Sequence, residues 1–314
     1  MKRRTFMKNT ALGSLALGLG SYGATGKQEQ PVPQRILGKT GEKLSVVGFG
    51  GIMLNDNPQE FANNLVAEAF DAGINYFDVA PSYGNAQDRM GPALRPYRKQ
   101  SFLACKTTRR DAAGAESELN GSLKALQTDH FDLYQLHALT TVDDVHQAFA
   151  SGGAMEVFTR ARKEGRVRFI GFSAHSVEAA TLAMSRFDFD TILFPINFNC
   201  WQQGDFGPQV FELAASKGMG ILALKAMAHT LLKQGEPKMY KNVWYRPVEE
   251  EPLARLALRY TLSKPVTAAI PPGDEKFFRI AVETARNFTP LTTAESQQLE
   301  RLATGNPPVF SHHA

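Results

Sequence analysis

Four side chains are conspicuous by type and by place. Asp78 closes the run "INYFD", where a buried strand would normally carry nothing charged, and Tyr83 follows five residues later, just before Gly84. Lys106 ends "FLACK" and His137 ends "DLYQLH". Each alone has an ordinary explanation: a strand-end Asp caps a helix, a Lys snorkels out of a sheet, a His is a satisfied core residue. Together they describe a reaction. A phenol, with a pKa near 10, is a poor proton donor at neutral pH. A nearby ammonium stabilises phenolate, so Lys106 would make Tyr83 a better acid. A buried Lys needs a counter-charge to stay cationic, which Asp78 provides. His137 adds a second hydrogen bond to a substrate oxygen. Such a group protonates a carbonyl oxygen while the carbon is attacked. None of the four delivers a hydride, so a cofactor must.

These side chains can meet only if their segments are ordered around a common opening. Apolar runs at 44–48, 74–78, 102–106, 132–137, 168–173, 191–197, 221–225 and 267–270 read as strands. Helical patterns at 59–72, 114–127, 155–163, 177–186, 208–217 and 252–263 lie between them, and Leu119, Leu123 and Leu126 form one apolar stripe. Eight strands with intervening helices predict an α/β fold, a (β/α)₈ TIM barrel, with a doubly wound open sheet as the rival. In a barrel the C-terminal ends of strands two to four share one mouth, which brings Asp78, Tyr83, Lys106 and His137 together. Before the first strand, "RILGKTGEKLSVVGFGG" reads as a β-hairpin turning at Thr40-Gly41. Two longer stretches, 138–153 and 227–250, follow strand ends and are expected to build the site's walls. The second carries Tyr240, Trp244 and Tyr245. No repeat of 20–50 residues interrupts the pattern.

The chain has 314 residues, 43% hydrophobic and 21% charged, enough for one large core. Its first 26 residues stand apart: a basic segment with Arg3-Arg4, a short mildly apolar run, then Ala24-Thr25-Gly26. That layout predicts a twin-arginine export signal over 1–26, a linker over 27–34 and the catalytic barrel over 35–314, with a periplasmic or otherwise exported destination. The apolar run is about half the length of a membrane anchor. The formal net charge of +4 is carried by Lys2, Arg3, Arg4 and Lys8, with no acid among residues 1–26, so four less four leaves the remainder neutral. Nothing then argues for nucleic acid or an anionic membrane surface. Gly18-Leu19-Gly20-Ser21-Tyr22-Gly23 fits a dinucleotide fingerprint by letter but lacks the preceding strand and following helix. Cys105 and Cys200 read as buried small hydrophobes rather than a disulfide, since alternation turns Cys105 away from Lys106. The histidines show no metal-ligand spacing.

"GINYFDVAPSYG", "ACKT" and "LYQLHA", in this order and spacing, resemble three blocks of the aldo/keto reductase family, and "LGKTGEKLSVVGFGG" resembles its N-terminal hairpin. The similarity runs from about Arg35 to about residue 290. It implies a (β/α)₈ barrel that binds an extended NADPH, with Asp78, Tyr83, Lys106 and His137 as catalytic tetrad and Tyr83 as general acid. The partner implied is a small-molecule carbonyl substrate. The resemblance places Gly51, Asp78 and Ser173 against the cofactor, then Leu224 and Lys225, then Pro272 and Gly273; Met53 and Trp244 would face the substrate. Ala174 stands where the family usually has an asparagine, Pro195 where it often has a glutamine, and Leu224 in place of a stacking tyrosine. In "IPPGDEKFF", Asp274 and Glu275 would repel an adenosine 2′-phosphate whereas Lys276 or Arg279 would attract it. NADP is therefore expected, with NAD possible. Two other readings stay open: a nucleotide-binding sensor module with little turnover, and an aldolase using Lys106 as a Schiff-base nucleophile.

Overall fold

Alternating side-chain orientation sorts each short strand into an inward and an outward set, and that sorting builds the barrel. A computed structural model describes residues 30–312; the export signal expected over 1–26 lies outside the described residues. The strands are β1 (Phe49–Gly50), β2 (Tyr76–Asp78), β3 (Phe102–Thr107), β4 (Phe131–Leu139), β5 (Val167–Ala174), β6 (Thr191–Pro195), β7 (Gly220–Leu224) and β8 (Ala268–Ile270). Each pairs in parallel with the next in chain order. A bridge between Val47 and Ala269, with the Gly48 N–H donating to the Ala269 carbonyl at 3.0 Å, closes the cylinder. This is the expected (β/α)₈ barrel rather than an open sheet.

Outward residues such as Phe77, Leu103, Tyr134, Phe172 and Phe194 pack against the helices. Inward residues Tyr76, Phe102, Leu133, Leu193 and Leu222 fill the barrel, and Leu37 and Leu44 of the hairpin cap them from below. The hairpin pairs Gln34–Ile36 with Lys43–Ser45. The strand expected at 44–48 is thus divided: its first part belongs to the hairpin, and the barrel strand begins at Phe49. Gly38 (φ +48°) packs directly on the barrel backbone, since a Cβ there would meet the Gly220 nitrogen at 2.3 Å. The expected linker, 27–34, runs into ordered structure at its C-terminal end. Val32 is buried and its N–H donates to the Ala72 carbonyl, and Gln34 opens the hairpin.

The helices are α1 (Gln59–Asp71), α2 (Ala86–Leu94), α3 (Ala112–Ala125), α4 (Val142–Phe149), α5 (Ala154–Lys163), α6 (Val177–Arg186), α7 (Phe198–Gln202), α8 (Pro208–Ser216), α9 (Glu251–Leu262), α10 (Glu275–Arg286) and α11 (Thr293–Ala303). No helix among the described residues is long and apolar enough to cross a membrane. The stretch 138–153 is not the irregular wall expected. It holds α4, begun by a capping box between Thr141 and Asp144, and Val145 and Ala148 bury one face. The stretch 227–250 contains a short hairpin, Ala228–Leu231 with Tyr245–Pro247. Both cysteines are buried and free.

Candidate active site

The inward alternation of β2, β3 and β4 lifts Asp78, Lys106 and His137 to the top of the barrel, where they line a cavity of about 430 Å³ with Tyr83 from the loop after β2. Lys106 donates to Asp78 Oδ1, and its ammonium also donates to the Val79 carbonyl at 3.3 Å. The second carboxylate oxygen, Oδ2, accepts from the Tyr76 hydroxyl at 3.1 Å and from Gln135 Nε2 at 3.2 Å. Tyr76 and Gln135 were not singled out from the sequence. The signal was there: each lies two residues before a tetrad residue on the same strand, hence on the same face. A buried ion pair persists when its remaining lone pairs are satisfied in this way.

Above the pair sits Tyr83, its ring centroid 5.4 Å from the Lys106 nitrogen and 5.7 Å from the His137 ring, which it meets edge-on. Burial raises the phenol's pKa, the Lys106 ammonium pulls it back by charge and hydrogen bonding, and Asp78 pushes it up again; the net direction is upward. The sequence expectation that Lys106 makes the phenol a better acid therefore holds for the lysine's own effect, but burial outweighs it. For Lys106, burial opposes the charge, while Asp78 and Tyr83 favour it and leave the pKa raised. His137 is pushed well below the ordinary imidazole value, first by burial and then by Lys106, His175, Arg110 and Lys225. It stands in the site as a neutral ring, with Ser82 Oγ 3.4 Å from Nδ1.

His137 is held at its backbone. Arg110 Nη2 donates to the carbonyls of His137 (2.8 Å) and Ala138 (3.2 Å), and Arg110 Nε donates to Asp144 Oδ1 at 2.9 Å. Ala138 has φ +52°, and β4 loses its regular pairing with β5 between Leu136 and Leu139. The freed Ala138 N–H donates to Ser173 Oγ at 2.7 Å.

Other expected residues divide. Ser173, Leu224, Lys225, Gly273 and Trp244 line the cavity with the tetrad. Gly51, Met53 and Pro272 do not; their neighbours Gly50, Ile52 and Pro271 do. The reason is the tight helical turn Gly51–Leu54, which packs Gly51 against Val79 and Met90 and buries Met53 in the core. Of the three expected wall aromatics, Trp244 and Tyr245 line the cavity, whereas Tyr240 packs on Phe277, ring centroids 4.9 Å apart. No residue of 138–153 lines it. His175, Asn55, Asn242, Lys238 and Lys241 line it without having been foreseen. Asn55 Nδ2 donates to Asn242 Oδ1 at 3.2 Å, joining the loop after β1 to the one after β7.

Beside the cavity, the tail after α11 lies against α7. Cys200 and Asn199 of α7 face it, and Asn199 Nδ2 donates to the Asn306 carbonyl at 3.1 Å. This sets the Phe310 ring on His175, centroids 4.9 Å apart and nearly coplanar at 11°.

The family model described as "Aldo/keto reductase family" matches residues 46–303. L-Galactose dehydrogenase from Arabidopsis thaliana is 26% identical over 73% of this chain and 80% of its own length. D-threo-Aldose 1-dehydrogenase from a Pseudomonas species is 26% identical over 69% and 76%. Among solved structures, the holo form of aldo-keto reductase AKR11C1 from Bacillus halodurans superimposes with a TM-score of 0.69 at 25% identity, covering 90% of this chain and 99% of that one.

Proposed function

Because the chain belongs to the aldo/keto reductase family, we propose that it is an oxidoreductase that reduces an aldehyde or ketone with a nicotinamide dinucleotide, Tyr83 serving as general acid. The observation that carries this reading is the buried Asp78–Lys106 pair beneath Tyr83, with a neutral His137 beside it. A reduced nicotinamide, when bound, supplies the hydride. The residues do the rest. His137, neutral, donates a hydrogen bond to the carbonyl oxygen and orients it. Tyr83 passes its proton to that oxygen as negative charge gathers there. Lys106 stabilises the phenolate left behind, and Asp78 keeps Lys106 charged in a site with little water.

The lining suits a dinucleotide. Leu193, Leu224 and Ile270 give an apolar bed for a ring, Ser173 offers a hydroxyl, and Lys238 and Lys241 at the rim face any phosphates. Asn55 Oδ1 is buried without a hydrogen-bond partner at the same rim. Of the two cations that would favour a 2′-phosphate, Arg279 is paired with Glu68 at 2.8 Å and with Glu275 at 2.9 Å. Asp274 caps α10 through the Lys276 N–H. Selection of NADPH over NADH, the proposed preference, then rests on Lys276. Calorimetric titration with each nucleotide tests class and preference together; absence of binding by both sinks the reading.

The leader adds a location. The Arg3-Arg4 segment supports export of the folded chain, with the dinucleotide loaded first and held tightly. Fractionation of cells expressing the whole chain and an Arg3→Lys, Arg4→Lys variant tests this: the variant is expected to stay in the cytoplasm.

A further inference from the structure

Lys225 follows Leu224 at the end of β7, and its backbone is left-handed, φ +59°. Strict alternation would turn the residue after Leu224 outward, yet both side chains line the cavity. A left-handed backbone costs a non-glycine residue on the order of 1 kcal/mol, so the surroundings hold it there. The ammonium lies 3.3 Å from His175 Nε2 and 5.4 Å from the ring centroids of both Trp244 and Phe310. The titratable groups that face it are His175 after β5, the Cys200 thiol on α7 and, across the cavity, His137 on β4. No carboxylate is among them.

The other three cavity lysines differ: Lys106 is neutralised by Asp78, Lys241 reaches Asp56 at 3.4 Å from the exposed rim, and Lys238 is itself exposed to water. Lys225 is a partly buried cation between two aromatic rings, close enough to act on the charge of His137, and has no carboxylate beside it. Burial brings its pKa down to about 7, with only Cys200 opposing. Burial and then Lys225 hold His175 at about 3. Two ring faces compensate an ammonium in part; a carboxylate or phosphate would do so fully.

Building on the reductase reading, we propose that Lys225, with His175 beside it, receives an anionic group carried by the carbonyl substrate, so that the enzyme acts on oxo compounds bearing a carboxylate or phosphate. The phosphates of a dinucleotide would instead meet Lys238 and Lys241 at the rim, whereas Lys225 lines the same cavity as Tyr83 and His137 and acts on His137 by its charge.

The test compares 4-carboxybenzaldehyde with benzaldehyde at saturating nucleotide, for wild type, Lys225→Met and Lys225→Arg. Wild type is expected to prefer the acid at least tenfold in kcat/KM, mostly through KM. Lys225→Met should erase the preference and Lys225→Arg should keep most of it. Independently of turnover, calorimetry with terephthalate at pH 8 should show binding with proton uptake, read as a heat that changes with the buffer's ionisation enthalpy and is lost in Lys225→Met. Equal preference in wild type and Lys225→Met, or terephthalate binding unaltered by the substitution, overturns the proposal. So does a tenfold loss of nucleotide affinity in Lys225→Met with the acid-to-neutral ratio unchanged, which would assign the anion to the dinucleotide. If wild type reduces neither aldehyde, the reductase reading falls, and the terephthalate titration still decides the anion site.

Discussion

The guanidinium of Arg110 donates to the backbone carbonyl of His137 at 2.8 Å while Asp144 holds its other edge. The ring proposed to orient the substrate is thus tied at its backbone by a residue outside the cavity lining. Arg110→Met frees that carbonyl and lets the bend at Ala138 relax. The expected result is a folded protein whose kcat for a neutral aldehyde falls about tenfold to a hundredfold, consistent with misplacement on the ångström scale. Arg110→Lys should recover only part, since one ammonium cannot reach both carbonyls and Asp144. Steady-state kinetics beside circular dichroism checks both.

Asp144 gives this anchor a signature in acid. Burial would raise its carboxyl pKa, but the Thr140 N–H, the charge of Arg110 and the Thr141 N–H bring it down to about 2. A depressed folded-state value means stabilisation that is fully present above the unfolded value near 4 and lost as pH falls toward 2. Wild type is expected to exceed Asp144→Asn by about 1 kcal/mol at pH 6, the figure reduced for partial solvent screening. The gap should shrink steadily between pH 4 and pH 2. Urea titrations across that range would show it; a gap that stays constant contradicts the assignment.

Tyr83→Phe removes the proposed proton donor and leaves the cavity's shape. Carbonyl reduction is expected to drop by about 10²- to 10⁴-fold. Nucleotide affinity, measured by calorimetry, should stay within about a factor of two. Equal rates in the two proteins would shift the reading to a nucleotide-binding module.

Breaking the buried pair should cost more than removing it. Asp78→Asn strands the Lys106 ammonium and Lys106→Met strands the Asp78 carboxylate, each by about 3–5 kcal/mol. The double variant Asp78→Asn, Lys106→Met should regain most of that loss in urea unfolding yet stay inactive. A double variant as unstable as the sum of the singles would mean that the pair is not coupled as drawn.

With a neutral aldehyde, the reduction rate should show no imidazole step at the ordinary value near 6.5, because burial and the nearby cations hold His137 well below it. Alcohol oxidation runs the proton the other way and needs Tyr83 as phenolate. Its raised pKa predicts an oxidation rate still climbing beyond pH 10. An inflection near pH 6.5 that vanishes in His137→Gln would show a titrating imidazole instead.

The tetrad was legible because it obeys a local rule: chemistry-bearing residues at the C-terminal ends of consecutive strands share one mouth. Tyr76 and Gln135 obey the same rule one step lower, and period-two alternation was sufficient to find them. α4 was also written locally, in the Thr141…Asp144 capping box that starts it. Gly51 and Met53 do not line the cavity because a tight helical turn, not an extended segment, follows β1; the turn brings Gly50 and Ile52 to it instead. The Phe310 contact had no local signal at all. Its ring stands on His175 through contacts of the tail with α7 and the β7 loop, and such pairings leave no periodic trace.

The hairpin that seals the base has a kinetic corollary. With Leu37 and Leu44 stoppering one end and large side chains filling the bore, the open end beside Tyr83 is the doorway left to the ligands of the proposed reaction. Traffic through one door imposes a queue, in which the deepest guest arrives first and departs last.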